Sequence, residues 1–234
     1  MKTFNANPIV NIVRAEIVTQ ETTPRVLNFE TISSASPEPF ISEGDESELR
    51  IRNTILAQER LEDIIKGYNI TLKDCVLTRE LFEIIDGGAS SAGSTSAAGT
   101  YTSPTAGQES ARVKFSLRLY AAEKDYAGDA VAYFRFIFPN CVGTPAKFSL
   151  ENGAFAAPEY VVRSRPSKGG KAMAVEILDR LPAYVSQASQ LPQSPQSGYC
   201  VVPTAALTAG SLSLAAGELA YYNGTAYVRT GTGA

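Results

Sequence analysis

The sequence predicts a mainly β fold: a β-sandwich or partial barrel flanked by one α-helix, with a small β-rich C-terminal extension. Three observations carry this. Apolar and polar residues alternate along several short runs, turn dipeptides punctuate those runs, and a single segment shows helical periodicity.

Residues 49–57 place Leu49, Ile51, Ile55 and Ala57 on one face and Arg50, Arg52 and Thr54 on the other, with Asn53 out of pattern. Residues 68–73 set Tyr68, Ile70 and Leu72 against Asn69, Thr71 and Lys73. Residues 113–119 set Val113, Phe115, Leu117 and Leu119 against Lys114, Ser116 and Arg118. A period of two puts each set on one sheet face, so all three read as half-buried strands. Val131–Phe138 is apolar at nearly every position and reads as a strand covered on both faces. Glu43-Gly44-Asp45, Ala127-Gly128-Asp129, Asn152-Gly153, Gly169-Gly170 and Asn223-Gly224 supply the turns.

The helix is predicted over 78–86. Thr78 is placed to cap its start; Leu81, Ile84 and Ile85, joined by Leu77, form one apolar face; Gly87 and Gly88 allow a left-handed exit. Gly87–Ser110 follows, almost entirely Gly, Ala, Ser and Thr, and reads as a long mobile loop. Pro182–Ser197 is rich in Pro, Gln and Ser and reads as a linker. The domain organisation expected is therefore 1–182 as the main β domain, 183–197 as linker, and 198–234 as a small β-rich appendage around the Asn223-Gly224 turn.

Composition narrows the function. The 234 residues are 44% hydrophobic, enough for a sizeable core without disulfides. With 21 Lys and Arg against 24 Asp and Glu, no excess basic charge favours a phosphate backbone. The N-terminal segment lacks the apolar run of a signal peptide, and no stretch reaches the length of a membrane-spanning helix. Cys75, Cys141 and Cys200 are widely spaced and read as small buried hydrophobes rather than zinc ligands or disulfides. There is no histidine, and no GxSxG, P-loop or dinucleotide fingerprint. The acidic cluster Asp45, Glu46 and Glu48 reads as solvated charge beside a turn, and Ser167-Lys168 as turn chemistry. No catalytic, cofactor-binding or metal site is expected.

The order of parts resembles the tail tube (major tail) proteins of tailed bacteriophages. The resemblance rests on Lys66-Gly67-Tyr68-Asn69-Ile70-Thr71-Leu72-Lys73-Asp74 followed by Leu81-Phe82-Glu83-Ile84-Ile85-Asp86-Gly87-Gly88. Phe134-Arg135-Phe136-Ile137-Phe138-Pro139-Asn140-Cys141, with Phe155 and Pro158-Glu159-Tyr160 downstream, adds to it; the match covers roughly residues 9–182. The resemblance implies a sandwich with one helix, six copies to a ring, rings stacked into a tube, and double-stranded DNA passing through without specific binding. It implies other tail proteins as partners: a tape measure, a terminator, a baseplate or tip, and a sheath where the tail contracts. It implies a place in the virion tail after assembly in the host cytoplasm. The long Gly87–Ser110 loop and the segment after Pro182 depart from the family pattern.

On this reading the strands 46–57 and 65–74 pair as the lumen wall, and Glu46, Glu48, Arg50, Arg52, Lys73 and Asp74 line it with mixed charge. The loop bearing Gly87, Gly88, Tyr101 and Pro104 orders at ring-to-ring contacts, and the C-terminal segment decorates the tube exterior. Two alternatives stand beside this: the inner tube of a contractile injection particle or phage-like bacteriocin, and a carbohydrate-binding β-sandwich in which Tyr221, Tyr222 and Tyr227 stack on sugars.

Overall fold

The computed structural model describes residues 7–91, 93, 99–110, 112–153 and 157–230. Phe155 of the resemblance lies outside them. The main-body strands are β1 (Ile9–Thr19), β2 (Val26–Phe29), β3 (Ile32–Ser42), β4 (Glu46–Ile51), β5 (Thr54–Arg60) and β6 (Ile64–Asp74). Helix α1 (Arg79–Asp86) follows, then β7 (Ala89–Ser91), β8 (Thr100–Thr102), β9 (Phe115–Lys124), β10 (Ala130–Gly143), β11 (Glu159–Ser164) and β12 (Ala174–Leu178). The C-terminal unit holds β13 (Ala183–Val185), β14 (Cys200–Pro203), β15 (Leu207–Ala209), β16 (Leu212–Leu214), β17 (Ala220–Tyr222) and β18 (Tyr227–Arg229). The fold is mainly β with one α-helix among the described residues, as the alternation predicts.

One sheet organises the body, in the order β2-β1-β9-β10-β11-β6-β3, with β12 also pairing β10. Strand β10 is long enough to hold two partners: Tyr133–Ile137 pair with β12, and Cys141–Gly143 pair with β11. The inner face collects Ile17, Ile70, Leu72, Phe115, Leu117, Phe138, Tyr160 and Val162 into one core. Helix α1 seals that core with Leu81, Phe82, Ile84 and Ile85, all buried. Leu77, expected in the helix stripe, is instead exposed, because it precedes the first helical turn. Thr78 holds the N-cap position without a side-chain cap bond, and Gly87 exits at φ 81° with its N–H donating to Glu83 O. The helix lies so close to β10 that a Cβ on Gly143 would come within 2.3 Å of Ile85 O. That contact requires glycine.

The outer face of β9 and β10 is covered as well, which is why β10 is apolar on consecutive positions. Tyr120 and Leu178 pack there against Cys200, Val202 and Leu219 of the C-terminal unit. Segment 183–197 is therefore not a free linker: Ala183–Val185 pairs in parallel with β14, and Ala188–Gln190 forms a 3-10 turn. Cys141 and Cys200 are buried as expected, and burial pushes their thiols up to about 12 and about 11. Cys75 is exposed, contrary to the expectation, because it follows the last residue of β6.

A polar cluster is sealed in the same junction. The Glu16 carboxylate is fully buried. It accepts hydrogen bonds from Arg118, from Tyr184 at 2.7 Å and from Tyr120 at 3.3 Å, and Arg135 Nη2 lies 3.9 Å away. Arg14 donates to Pro182 O at 2.7 Å and to Glu30 at 2.7 Å, and Arg118 also donates to Gly217 O. Burial, then the negative charge of Glu16, raises both the Tyr120 and Tyr184 phenols above their ordinary range, so both remain donors at neutral pH. A Glu16→Gln variant leaves two buried guanidiniums short of countercharge and is expected to lose about 3–5 kcal/mol of stability. Urea unfolding checks this, and a change under about 1 kcal/mol contradicts the role assigned to the cluster.

Candidate functional site

Strands β4 and β5 form a separate antiparallel hairpin running from Glu46↔Arg60 to Ile51↔Thr54. Residues 46–57 are thus not one strand, as the alternation suggests, but most of a hairpin turning at Arg52-Asn53. Arg52 takes φ 53°, in the left-handed region that neither Gly nor Asp marks at this position. The expected pairing of 46–57 with 65–74 is also replaced. Strand β6 pairs with β3 and β11, while β4 and β5 pair only with each other.

The neck of the hairpin is tight. Leu61 N–H donates to Asp45 O at 3.0 Å, and Gly44 N–H donates to Asp63 Oδ1 at 2.9 Å. A Cβ on Gly44 would fall 1.9 Å from Leu61 O. Below the neck, Phe40 sits opposite Gly67 in the register. The Arg165 guanidinium stacks 4.1 Å from the Phe40 ring centroid, which fixes the base of the projection.

Every residue of β4 and β5 is exposed. Leu49 (59%), Ile51 (58%), Leu56 (57%) and Ile55 (46%) stand in water, and the exposed apolar surface continues at the base through Leu61, Ile64 and Ile65. The register puts Leu49 and Ile51 on one face with Ala57; Glu46, Glu48 and Arg50 share the opposite face with Arg60, Gln58 and Ile55, because the shift at Leu56 moves Ile55 away from the side that plain alternation gives it. Gln58 donates to Glu46, and Glu48 lies 3.4 Å from Arg50. An isolated two-stranded hairpin is at best marginally stable in water, and large apolar side chains exposed on both of its faces mark an interaction surface.

Of the six residues expected on a lumen wall, Glu46, Glu48, Arg50 and Arg52 are brought together on this hairpin. Lys73 and Asp74 are not, because they lie at the opposite end of the 11-residue β6, about 30 Å away along the strand. Lys73 is exposed and 3.9 Å from Glu159. Asp74 is fully buried, and its Oδ1 accepts from Cys75 N–H at 2.7 Å and Val76 N–H at 3.3 Å. It turns the chain toward α1 and lines no surface.

The Gly87–Ser110 segment also differs from a structureless loop. Ala89–Ser91 pairs with Thr100–Thr102; residues 92 and 94–98 lie outside the described residues. Tyr101 donates to Asp86, and its ring meets Phe82 edge-on at 5.6 Å between centroids. Burial, then that hydrogen bond, raises the Tyr101 phenol and keeps it a donor. Gly88 leaves room for the same ring, since a Cβ there would sit 2.4 Å from Tyr101 Oη. Glu83 accepts from Ser90 and from Arg25, which hold its carboxylate below the usual range. Pro104 is half-buried at the exit of the hairpin.

The tyrosines considered for sugar stacking are engaged elsewhere. Tyr222 and Tyr227 pack on each other at 5.3 Å, and Tyr221 packs into the junction core. Among the described residues no cluster of His, Cys, Asp and Glu is arranged to hold a metal ion.

No family model matches the chain, and no curated protein matches it. Similar chains occur among solved structures. One is from the tube-terminating cap of the anti-feeding prophage, 15% identical, covering 75% of this chain and 95% of that one, with TM-score 0.38. Another is from the anti-feeding prophage baseplate, 10% identical, covering 74% and 97%, with TM-score 0.38. A third is from the sheath–tube complex of an extracellular contractile injection system in its extended state, 14% identical, covering 73% and 92%, with TM-score 0.32. At TM-scores below 0.5 these likenesses leave function to be read from this chain's own surface.

Replacing Gly44 by Ala forces the neck open. Amide exchange over 46–60 is expected to accelerate in Gly44→Ala while the β9–β10 amides keep their protection. Equal exchange in the two proteins contradicts the neck assignment.

Proposed function

We propose that this chain is a structural, non-enzymatic subunit of a phage-tail-like tube. Copies close into hexameric rings, the rings stack, and double-stranded DNA passes through the bore without specific binding. The observation that carries the proposal is the β4–β5 hairpin. Its exposed Leu49, Ile51, Ile55 and Leu56 have no cover among the described residues. Each such side chain removed from water contributes about 1.5–3 kcal/mol. A ring supplies a cover by lining the hairpin of one copy with the next, which also ends the open strand edges. Closure with Leu49 and Ile51 outward turns Glu46, Glu48 and Arg50 to the bore, a wall of mixed charge in which Ile55 sits beside Arg50.

In this reading the β7–β8 hairpin, held by Gly87, Gly88 and Tyr101 with Pro104 at its exit, meets the neighbouring ring. The C-terminal unit, docked on the outer sheet face, lies on the tube exterior. The tape measure, terminator and baseplate or tip would meet the tube inside and at its ends. A sheath protein coating the tube identifies a contractile particle; a bare tube identifies a non-contractile tail.

Negative-stain electron microscopy of the purified protein is expected to show hollow tubes or six-fold rings. The Leu49→Ser/Ile51→Ser double variant is expected to remain monomeric with an unchanged urea midpoint, because neither side chain is in the core. A wild-type protein that stays monomeric at high concentration, or a double variant that assembles normally, overturns the proposal.

A further inference from the structure

A cleft of about 420 Å³ lies between the outer face of β9–β10 and the C-terminal unit. Its walls carry four cations, Arg118, Arg135, Lys171 and Arg229, against two carboxylates, Glu176 and Glu218. Arg135 donates to Glu176 at 2.9 Å and lies 3.9 Å from Glu16, which also pairs with Arg118; Arg229 lies 3.7 Å from Glu218. Three carboxylates, Glu16 included, therefore face four cations. The surplus charge is on Lys171, exposed beside the Gly169-Gly170 turn and without an ion pair among the described residues. Nε of Arg118 and Nε of Arg135 are buried without an acceptor, so the cluster also holds more donors than acceptors. Ser116, Ser167 and Thr230 hydroxyls and the Gln20 and Asn140 amides share the lining with an apolar wall of Ile137, Pro139, Pro166 and Leu219, which suits the carbon face of a sugar ring.

We propose that this cleft binds a small hydroxylated anion, the class of sugar acids and sugar phosphates. The volume is in the range of small-ligand sites, the surplus positive charge selects an anion, and the hydroxyl and amide lining suits hydroxyl groups. Neutral sugars lack the charge that Lys171 would meet. The cleft shares no residue with the β4–β5 hairpin, so it stands or falls independently of tube assembly.

Isothermal titration of the full chain with glucuronate, glucose 6-phosphate and glucose, at matched ionic strength, tests the proposal. Saturable binding is expected for at least one anion, with glucose weaker by about tenfold or more. Which anion binds tighter separates a carboxylate from a phosphate headgroup. Lys171→Gln removes an exposed side chain and is expected to weaken the anion by about tenfold without shifting the urea midpoint. Absence of saturable binding by both anions overturns the proposal. So does glucose binding as tightly as the anions, or Lys171→Gln binding as tightly as wild type.

Discussion

The Glu16 carboxylate has no access to water, and its partners come from three separate stretches of chain: Arg118 on β9, Arg135 on β10 and Tyr184 on β13. Burying an ion is costly unless countercharge and hydrogen bonds surround it. The countercharge comes from the main sheet, and the C-terminal unit completes the set with the Tyr184 hydrogen bond from the outer face. Arg14, bonded to the carbonyl of Pro182, fixes the chain at the point where it leaves the body for that unit. The C-terminal segment is thus part of the architecture. It holds a small core of its own around Val185, Val201, Leu207, Leu214 and Ala220, and it shares a second with Tyr120 and Leu178.

Both faces of the central sheet are in this way accounted for. Helix α1 fills the inner side, where Gly143 permits close approach, and the C-terminal unit closes the outer side. Many of the large apolar residues still in water lie on the β4–β5 hairpin and its base, while others, among them Tyr126, Phe148 and Leu150, are exposed elsewhere. A subunit that satisfies its own core so fully has little reason to leave Leu49, Ile51, Ile55 and Leu56 bare unless another surface covers them. The Gly44–Asp63 hydrogen bond and the Phe40–Arg165 stack anchor the base of the hairpin, while the strands above it are held only by each other.

What could be read from the sequence was the local part. Alternation in β6 and β9 set their inward residues correctly, with Ile70, Leu72, Phe115, Leu117 and Leu119 buried. The continuous apolar run in β10 announced cover on both faces, and the helix ended where Gly87 said it would. The rest was not legible, each part for a physical reason. The hairpin turn uses Arg52 at positive φ, so the usual glycine marker is missing. Strand β1 breaks its alternation at irregularities around Ile12 and Arg14, and β13 lies inside a Pro- and Gln-rich stretch where pairing, not propensity, makes the strand. The Glu16 cluster joins residues more than a hundred positions apart, which no local pattern reports. Asp74 was misread because its strand position suggested a surface, whereas its carboxylate serves the turn into the helix.

The claim at the centre of this account is that the β4–β5 hairpin is an assembly surface left uncovered in the single subunit. Hydrogen exchange of the 46–60 amides, compared between dilute monomer and assembled protein, tests it most directly. Fast exchange in the monomer and strong protection on assembly, confined to the hairpin and its base, are expected. Exchange over 46–60 that stays equally fast in the assembled form would contradict it.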